Sequence, residues 1–254
     1  MLASFGAFGM EITRNDRVRM ERAHVLAWPA LRTAEIEGWL WRSSGGGSQR
    51  ANSVSTIDFT GNDVEAAVRE VEGRYREQGA PARFQTFEET SPVGLDDLLR
   101  AHGYRQSDPT WTMFKRIKPA RPDERVEVSN APSTAWRDIY VGGITENRRM
   151  VNRLILERIP LPRGFFGCRI GEDIIATALG VVGFGCAVVE CVTTRADMRR
   201  RGATQTVLAA LETWAAGQDA DWIGLQVAID NVPAVALYRS LGFVAGATNR
   251  FWVG

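Results

Sequence analysis

Histidine and cysteine are both scarce in this chain, two of the first and three of the second among 254 residues. His24 and His102 alone argue against a histidine-built metal site, and no metal is expected. Cys168, Cys186 and Cys191 crowd into one stretch of apparent strands and form no metal-type pair. Their odd number argues against a disulfide framework. Long apolar runs are missing too, since none approaches the roughly 18 residues that a membrane span needs. Residues 1–10 are mildly apolar but have neither a basic leading segment nor a clear cleavage site. An excess of one charge is also lacking. Lys plus Arg number 31 against 30 for Asp plus Glu, a net charge of +1. No global field then draws nucleic acid or a membrane, and any anion site must be local. The expected setting is soluble, reducing and cytoplasmic. What remains is an ordinary globular balance, 44% hydrophobic and 24% charged, at a length that suits one large domain or two of usual size.

Residues 199–204, Arg-Arg-Arg-Gly-Ala-Thr, are the most informative stretch present. They lie between an apolar run, residues 186–192, and a helical pattern from about Ala203 to Ala216. Strand, basic glycine turn, helix start: that order offers backbone N–H groups and the positive end of a helix dipole to an anion. Three cations at that end are unfavourable without one.

The second half of the chain begins after a basic, Pro-marked linker, residues 115–122. Apolar spacing predicts helices from Ser133 and over 146–158, the latter stopped by Pro160 and Pro162. Strands over 164–170, 174–182 and 186–194 are punctuated by glycines and read as an antiparallel meander. The 203–216 helix buries Val207, Leu208 and Leu211, and a strand over 222–228 follows. Asn231 reads as the cap of a short helix with Pro233 in its first turn, and a last strand covers 248–253.

The first half repeats this plan. Shifted by 139 residues, 98–104 (Leu-Leu-Arg-Ala-His-Gly-Tyr) overlays 237–243 (Leu-Tyr-Arg-Ser-Leu-Gly-Phe). The same shift lays a helix over 63–78 on 202–217 and Phe84 on Ile223. The functional positions differ. Where the second copy has three arginines, the first has the acidic loop 58–63, and Pro92 and Leu99 stand opposite Asn231 and Tyr238.

Two motifs at this spacing resemble the GNAT superfamily of acyl-CoA-dependent N-acetyltransferases. One is the family's Arg/Gln-x-x-Gly-x-Gly/Ala loop, here residues 199–204, and the other is Asn231 through Tyr238 to Leu241-Gly242-Phe243. Thr204 departs from the pattern, where a Gly or Ala is usual. The resemblance covers about 126–253, and the first half only through the repeat. It implies an α+β fold with a mixed sheet, as a degenerate GNAT-like domain over 1–118 and a catalytic domain over 123–254. It implies acetyl-CoA, or another acyl-CoA, in a V-shaped gap between splayed parallel strands. The pantetheine arm would pair with Val192, Thr193 and Thr194. The diphosphate would lie on the loop of Arg199, Arg200, Arg201, Gly202, Ala203, Thr204 and Gln205.

Acyl transfer to an amine needs a neutral amine, an oxyanion stabiliser and an acid for the departing thiolate. The resemblance implies Tyr238 as that acid; as sequence alone it also reads as a core tyrosine. Asn231 would cap its helix and contact the cofactor arm. Gln226 stands where some members carry a glutamate base, and a glutamine cannot take a proton. Glu190 is the remaining candidate base, placed by strand alternation on the face of Val192 and Thr194. It reads equally as a buried partner of an arginine. Cys191 then falls on the other face as core filler. Trp28, Trp39 and Trp41 read as first-half core, residues 44–48 as a flexible hairpin tip, and 50–53 as a polar segment facing the cleft between halves.

The expected activity is acetyl transfer from acetyl-CoA to a primary amine of a small molecule or peptide, by direct attack in a ternary complex. The chain would be a monomer or a homodimer. The alternatives are a non-catalytic acyl-CoA-binding or sensing protein and a nucleotide-binding protein that uses the arginine loop.

Overall fold

Thr13 opens the first helix, α1 (Arg14–Ala27), with a capping box: its hydroxyl accepts from the Asp16 amide, and the Asp16 carboxylate accepts from the Thr13 amide. The computed structural model to which this helix belongs describes residues 11–107, 109–121 and 123–254. Residues 1–10, and Pro122 at the end of the basic linker, lie outside the described residues. The first half continues through β1 (Arg32–Ile36), β2 (Trp39–Ser43), β3 (Val54–Ser55), α2 (Val64–Arg76) and β4 (Arg83–Thr86). It closes with α3 (Leu95–Ala101), β5 (Arg105–Gln106) and β6 (Thr110–Arg116). The second half opens with β7 (Val126–Ser129), α4 (Thr134–Gly142), α5 (Glu146–Arg158) and the strands β8 (Arg163–Ile170), β9 (Asp173–Gly183) and β10 (Cys186–Thr194). Then come α6 (Ala203–Ala216), β11 (Trp222–Ala228), α7 (Val232–Ser240) and β12 (Val244–Val253).

The strands form one mixed sheet in the order β1-β2-β3-β4-β12-β6-β11-β10-β9-β8-β7, with β5 beside β12. The fold is α+β, as the sequence implied. β8, β9 and β10 make the antiparallel meander, while β10 runs parallel to β11, as β3 does to β4. Val54 pairs with Phe84 in the first parallel ladder, and Ala187 with Ile223 in the second.

The halves exchange strands. β6 lies between β11 and β12 and pairs with both. The far end of β12, residues 250–253, lies between β4 and β5. At the shift of 139, β5 corresponds to the start of β12 and β6 to its end, so each half lends its last strand to the other. Gly246 permits the bend between the two roles of β12. It sits at a register shift between Ala245 and Ala247, where a Cβ would lie 2.0 Å from Phe114 Cε1. The strand therefore begins at Val244, four residues before its expected start, with the glycine inside it.

Alternate residues of β10 feed two cores. Ala187 and Val189 pack with Val207, Leu208 and Leu211 of α6, and Cys186 and Val188 pack with Met20 and Ala23 of α1 and Trp136 of α4. A third core in the first half holds Trp39, Trp41, Val68 and Phe84. Trp28 belongs to the α1 core instead, because α1 lies over β9 and β10 of the second half. Residues 44–48 are tied down and do not form a free tip. Ser44 N–H donates to Asn52 Oδ1 (2.8 Å), Asn52 Nδ2 donates to Gly46 O (2.6 Å), and Gly47 packs against Val151 of α5.

Candidate active site

β10 and β11 stay paired only through Cys186–Trp222, Ala187–Ile223 and Val188–Gly224, and then separate. Beyond that point Glu190 and Gln226 stand on opposite lips of a V-shaped gap. Just past the last pair comes a bulge, where Cys191 has φ +55 and the β9–β10 register shifts between Glu190 and Thr193. This bulge overturns simple alternation. Cys191 packs into the α1 core on the side where Cys186 and Val188 lie, whereas Val192 packs against the α6 core. The Cys191 thiol thus sits beside Tyr140 and Glu190, and burial pushes its pKa up, with the Glu190 charge adding to the shift. That disfavours the thiolate, as its reading as filler requires.

Beyond the bulge, Val192, Thr193, Thr194 and Arg199 line a groove of about 390 Å³, closed on its other side by Ile139, Gly142 and Gly143 at the end of α4. The lining of the groove ends at Arg199, and Thr194 on its wall is hydrogen-bonded to Thr204 in the first turn of α6. Four helices here have side-chain caps: Thr13 on α1, Asp63 on α2, Ser133 on α4 and Asn231 on α7. Helix α6 has none. Its cap position is Gly202 at φ +80, a left-handed conformation suited to glycine, and the first intrahelical bond is Thr206 N–H to Gly202 O. The amides of Ala203, Thr204 and Gln205 are left without intrahelical acceptors. Arg199, Arg200 and Arg201 are exposed around this end and make no ion pair among the described residues. The equivalent end in the first half is self-satisfied, since the Asp63 carboxylate accepts from Ala66 N–H at 2.9 Å. The Thr204 hydroxyl shares a 2.7 Å hydrogen bond with Thr194 Oγ1.

Across the gap, Asn231 Oδ1 accepts from Ala234 N–H at 3.4 Å and starts α7. About two turns later, Tyr238 packs edge-on against Phe243, with ring centroids 6.0 Å apart. Burial pushes its phenol up to about 12, with the Glu190 charge adding to the shift. The phenol is therefore protonated at neutral pH.

Glu190 meets Arg50 of the first half. Arg50 Nη1 and Nη2 donate to Glu190 Oε1 and Oε2 at 2.6 and 2.7 Å. Burial raises this carboxyl, but the bidentate arginine outweighs burial and holds it at about 2. Residues 50–53 do face the cleft between the halves, through Arg50. His24 of α1 lies in the same place: its Nδ1 is 3.9 Å from Glu190 Oε1, and both ring nitrogens are buried without a partner among the described residues. Close by, Asn152 Nδ2 donates to the Tyr140 hydroxyl at 2.8 Å.

Gln226 does not stand alone. Its Nε2 donates to Glu21 Oε2 of α1 at 3.2 Å, and Thr112 Oγ1 and Asn249 Nδ2 donate to Glu21 Oε1. Asn249 Oδ1 in turn accepts from Gln85 Nε2 at 2.7 Å, and Gln85 Oε1 from Arg42 Nη2 at 2.7 Å. This buried polar chain crosses the exchanged strands. Sequence reasoning had passed over α1 and so missed Glu21 and His24. The capping pair Thr13–Asp16 and the spacing of Met20, Ala23, His24 and Ala27 were the signal available.

A parallel pair splayed at a bulge, feeding an uncapped helix ringed by arginines, defines an acetyltransferase of the GNAT type. The sequence profile of the family described as "Probable histone acetyltransferase Rv0428c C-terminal" matches residues 15–252. The chain belongs to that family, within the GNAT superfamily. "Uncharacterized N-acetyltransferase YobR" of Bacillus subtilis (strain 168) is 31% identical over 240 residues, covering 90% of this chain and 95% of that protein. A GCN5-related N-acetyltransferase from Kribbella flavida superposes with a TM-score of 0.66 at 16% identity, over 93% of this chain and 94% of that one. A tandem GNAT protein from the clavulanic acid biosynthesis pathway gives 0.60 at 12% identity, over 75% of this chain and 69% of that one. At such identities the two structures speak for the fold alone. Among the described residues no helix is long and apolar enough to cross a membrane.

Proposed function

We propose that the protein transfers an acetyl group from acetyl-CoA to a primary amine, by direct attack within a ternary complex. One observation carries the reading: α6 begins without a side-chain cap, beside three arginines that make no ion pair among the described residues, the first of which lines the groove along β10. Free amides, a helix dipole and cations at one point suit a diphosphate. The first-half counterpart, filled by Asp63, does not.

In this reading the extended backbone of Val192, Thr193 and Thr194 pairs with the pantetheine arm, and Arg199 to Gln205 hold the diphosphate. The acceptor enters as the neutral amine, its proton having gone to water, and attacks the thioester carbonyl. As the C–S bond breaks, Tyr238 gives its proton to the departing thiolate, and the proton that the cationic nitrogen sheds on becoming the amide returns to the Tyr238 phenolate through water. Asn231 fixes the start of α7 and so the place of that phenol. Of the two roles open to Glu190, the geometry supports the ion pair, because both oxygens already accept from Arg50. Residues 123–254 form the catalytic unit, and 1–118 a degenerate copy that serves as scaffold and cleft wall.

The test combines a thermal-shift titration with a thiol-release assay over a panel of amines. Acetyl-CoA should raise the melting temperature more than ATP does, and at least one amine should release CoA. Stabilisation without release for any amine makes the protein an acyl-CoA binder or sensor. Equal stabilisation by ATP makes it a nucleotide binder.

A further inference from the structure

A second cavity, of about 560 Å³, lies away from the acyl-CoA groove, between α1 and the strands β2 and β3. Its size is that of a small-molecule site. One wall is the face of α1 opposite His24, carrying Arg22, Val25 and Leu26, and the other holds Leu40 and Ile57. Phe184 closes one end. This phenylalanine is half exposed and has φ +54, an unfavourable backbone conformation for a bulky residue. Arg22 at the mouth is matched by Asp58, with Nη2 to Oδ1 at 2.5 Å.

Arg42 also lines this cavity and is matched by no acid. It is 1% exposed, and no carboxylate lies within 4.0 Å of its guanidinium among the described residues. Its hydrogen bonds run to Ser53 O (2.9 Å), Ser53 Oγ (3.2 Å) and Gln85 Oε1 (2.7 Å), all neutral, and all from Nε and Nη2. Nη1 donates to no group among the described residues. The nearest link to an acid passes through two carboxamides, Gln85 and Asn249, before reaching Glu21. Buried guanidinium groups stay charged and ordinarily have an anionic partner. Burial draws the Arg42 guanidinium down to about 10.

We propose that this cavity binds a carboxylic acid with an apolar body, the acid group pairing with Arg42 and the hydrocarbon lying between Val25, Leu26, Leu40 and Ile57. A carboxylate supplies the charge-assisted partner that the protein lacks there, and the walls supply apolar contact. The site is separate from the acyl-CoA groove and stands whether or not the acetyl-transfer reading holds.

The test is isothermal titration of the whole protein with octanoate, 3-phenylpropanoate and octan-1-ol. Octanoate or 3-phenylpropanoate should bind at least about tenfold more tightly than octan-1-ol, the ratio that a charge-assisted hydrogen bond provides. Arg42→Gln should abolish that preference. Val25→Phe leaves the Arg42 contacts intact and fills the cavity; it should block the acids while acetyl-CoA binding persists. Equal binding of octanoate and octan-1-ol, equal binding of octanoate by wild type and Val25→Phe, or no binding of either acid at millimolar concentration overturns the proposal.

Discussion

Arg50 and Glu190 stand 140 positions apart in the chain, yet meet oxygen by nitrogen in a two-pronged ion pair across the two halves. The arginine comes from the loop before β3 and the carboxylate from the last residue before the β10 bulge. The pair thus ties the first half to the strand that lines the groove beside α4. Removing either partner leaves the other charged and buried. Arg50→Met or Glu190→Leu alone should cost about 3–5 kcal/mol in denaturant unfolding, while the double variant should lose much less. Two single losses that simply add would deny the coupling.

The same pair sets an acid response. The Glu190 carboxyl is held at about 2 in the folded protein, against 4.5 for an ordinary glutamate. A depressed carboxyl favours the folded state above its unfolded value, so this contribution is complete above about pH 4.5 and fades as pH falls toward 2. Other carboxylates titrate there too. The quantity to measure is therefore the gap in unfolding free energy between wild type and the Arg50→Met/Glu190→Leu variant, which should narrow from pH 5 to pH 3.

Tyr238→Phe keeps the ring packed on Phe243 and removes only the proton donor. Acetyl-CoA affinity should be unchanged, and the rate of CoA release should fall by about a hundredfold or more. Unaltered turnover would remove this residue from the chemistry.

The arginine loop predicts effects of opposite sign on stability and on binding. Arg200→Gln/Arg201→Gln takes positive charge from the positive end of a helix, so the ligand-free protein should become more stable by about 0.3–1 kcal/mol. Acetyl-CoA binding should weaken and lose part of its salt dependence. Melts with and without acetyl-CoA at two salt concentrations read both effects.

Gly246→Ala tests the bend in β12. A Cβ there meets the Phe114 ring of the exchanged strand, and overpacking of this kind costs about 1–3 kcal/mol. Phe114→Leu should relieve part of that loss in a double variant, although it is destabilising alone.

The regular elements of the second half were legible because their punctuation is strong: glycines flank the meander, Asn231 and Pro233 start α7, and apolar spacing marks α6. The loop of residues 199–204 was legible for the same reason, since strand, basic turn and helix are all local signals. Three things were not. The bulge at Cys191 puts Glu190 and Val192, which alternation places on one face, on opposite faces, and nothing in a run of Val, Glu, Cys, Val and Thr marks where alternation breaks. The partnership of Arg50 with Glu190 is a tertiary contact between halves, so residues 50–53 could be assigned to the cleft but not to a partner. The strand exchange is invisible because β6 and β12 have ordinary strand sequences, and their pairing is decided by which sheet has the vacancy.

That exchange has a consequence for how the molecule is made. During synthesis the first half emerges with a space in its own sheet beside β4, which only residues 250–253 fill. Its strand β6 has meanwhile nothing to lie against until β11 and β12 exist. Neither half-sheet can be completed before residues 244–253 have been made. Deleting residues 250–253 should thus injure the half that was made before them.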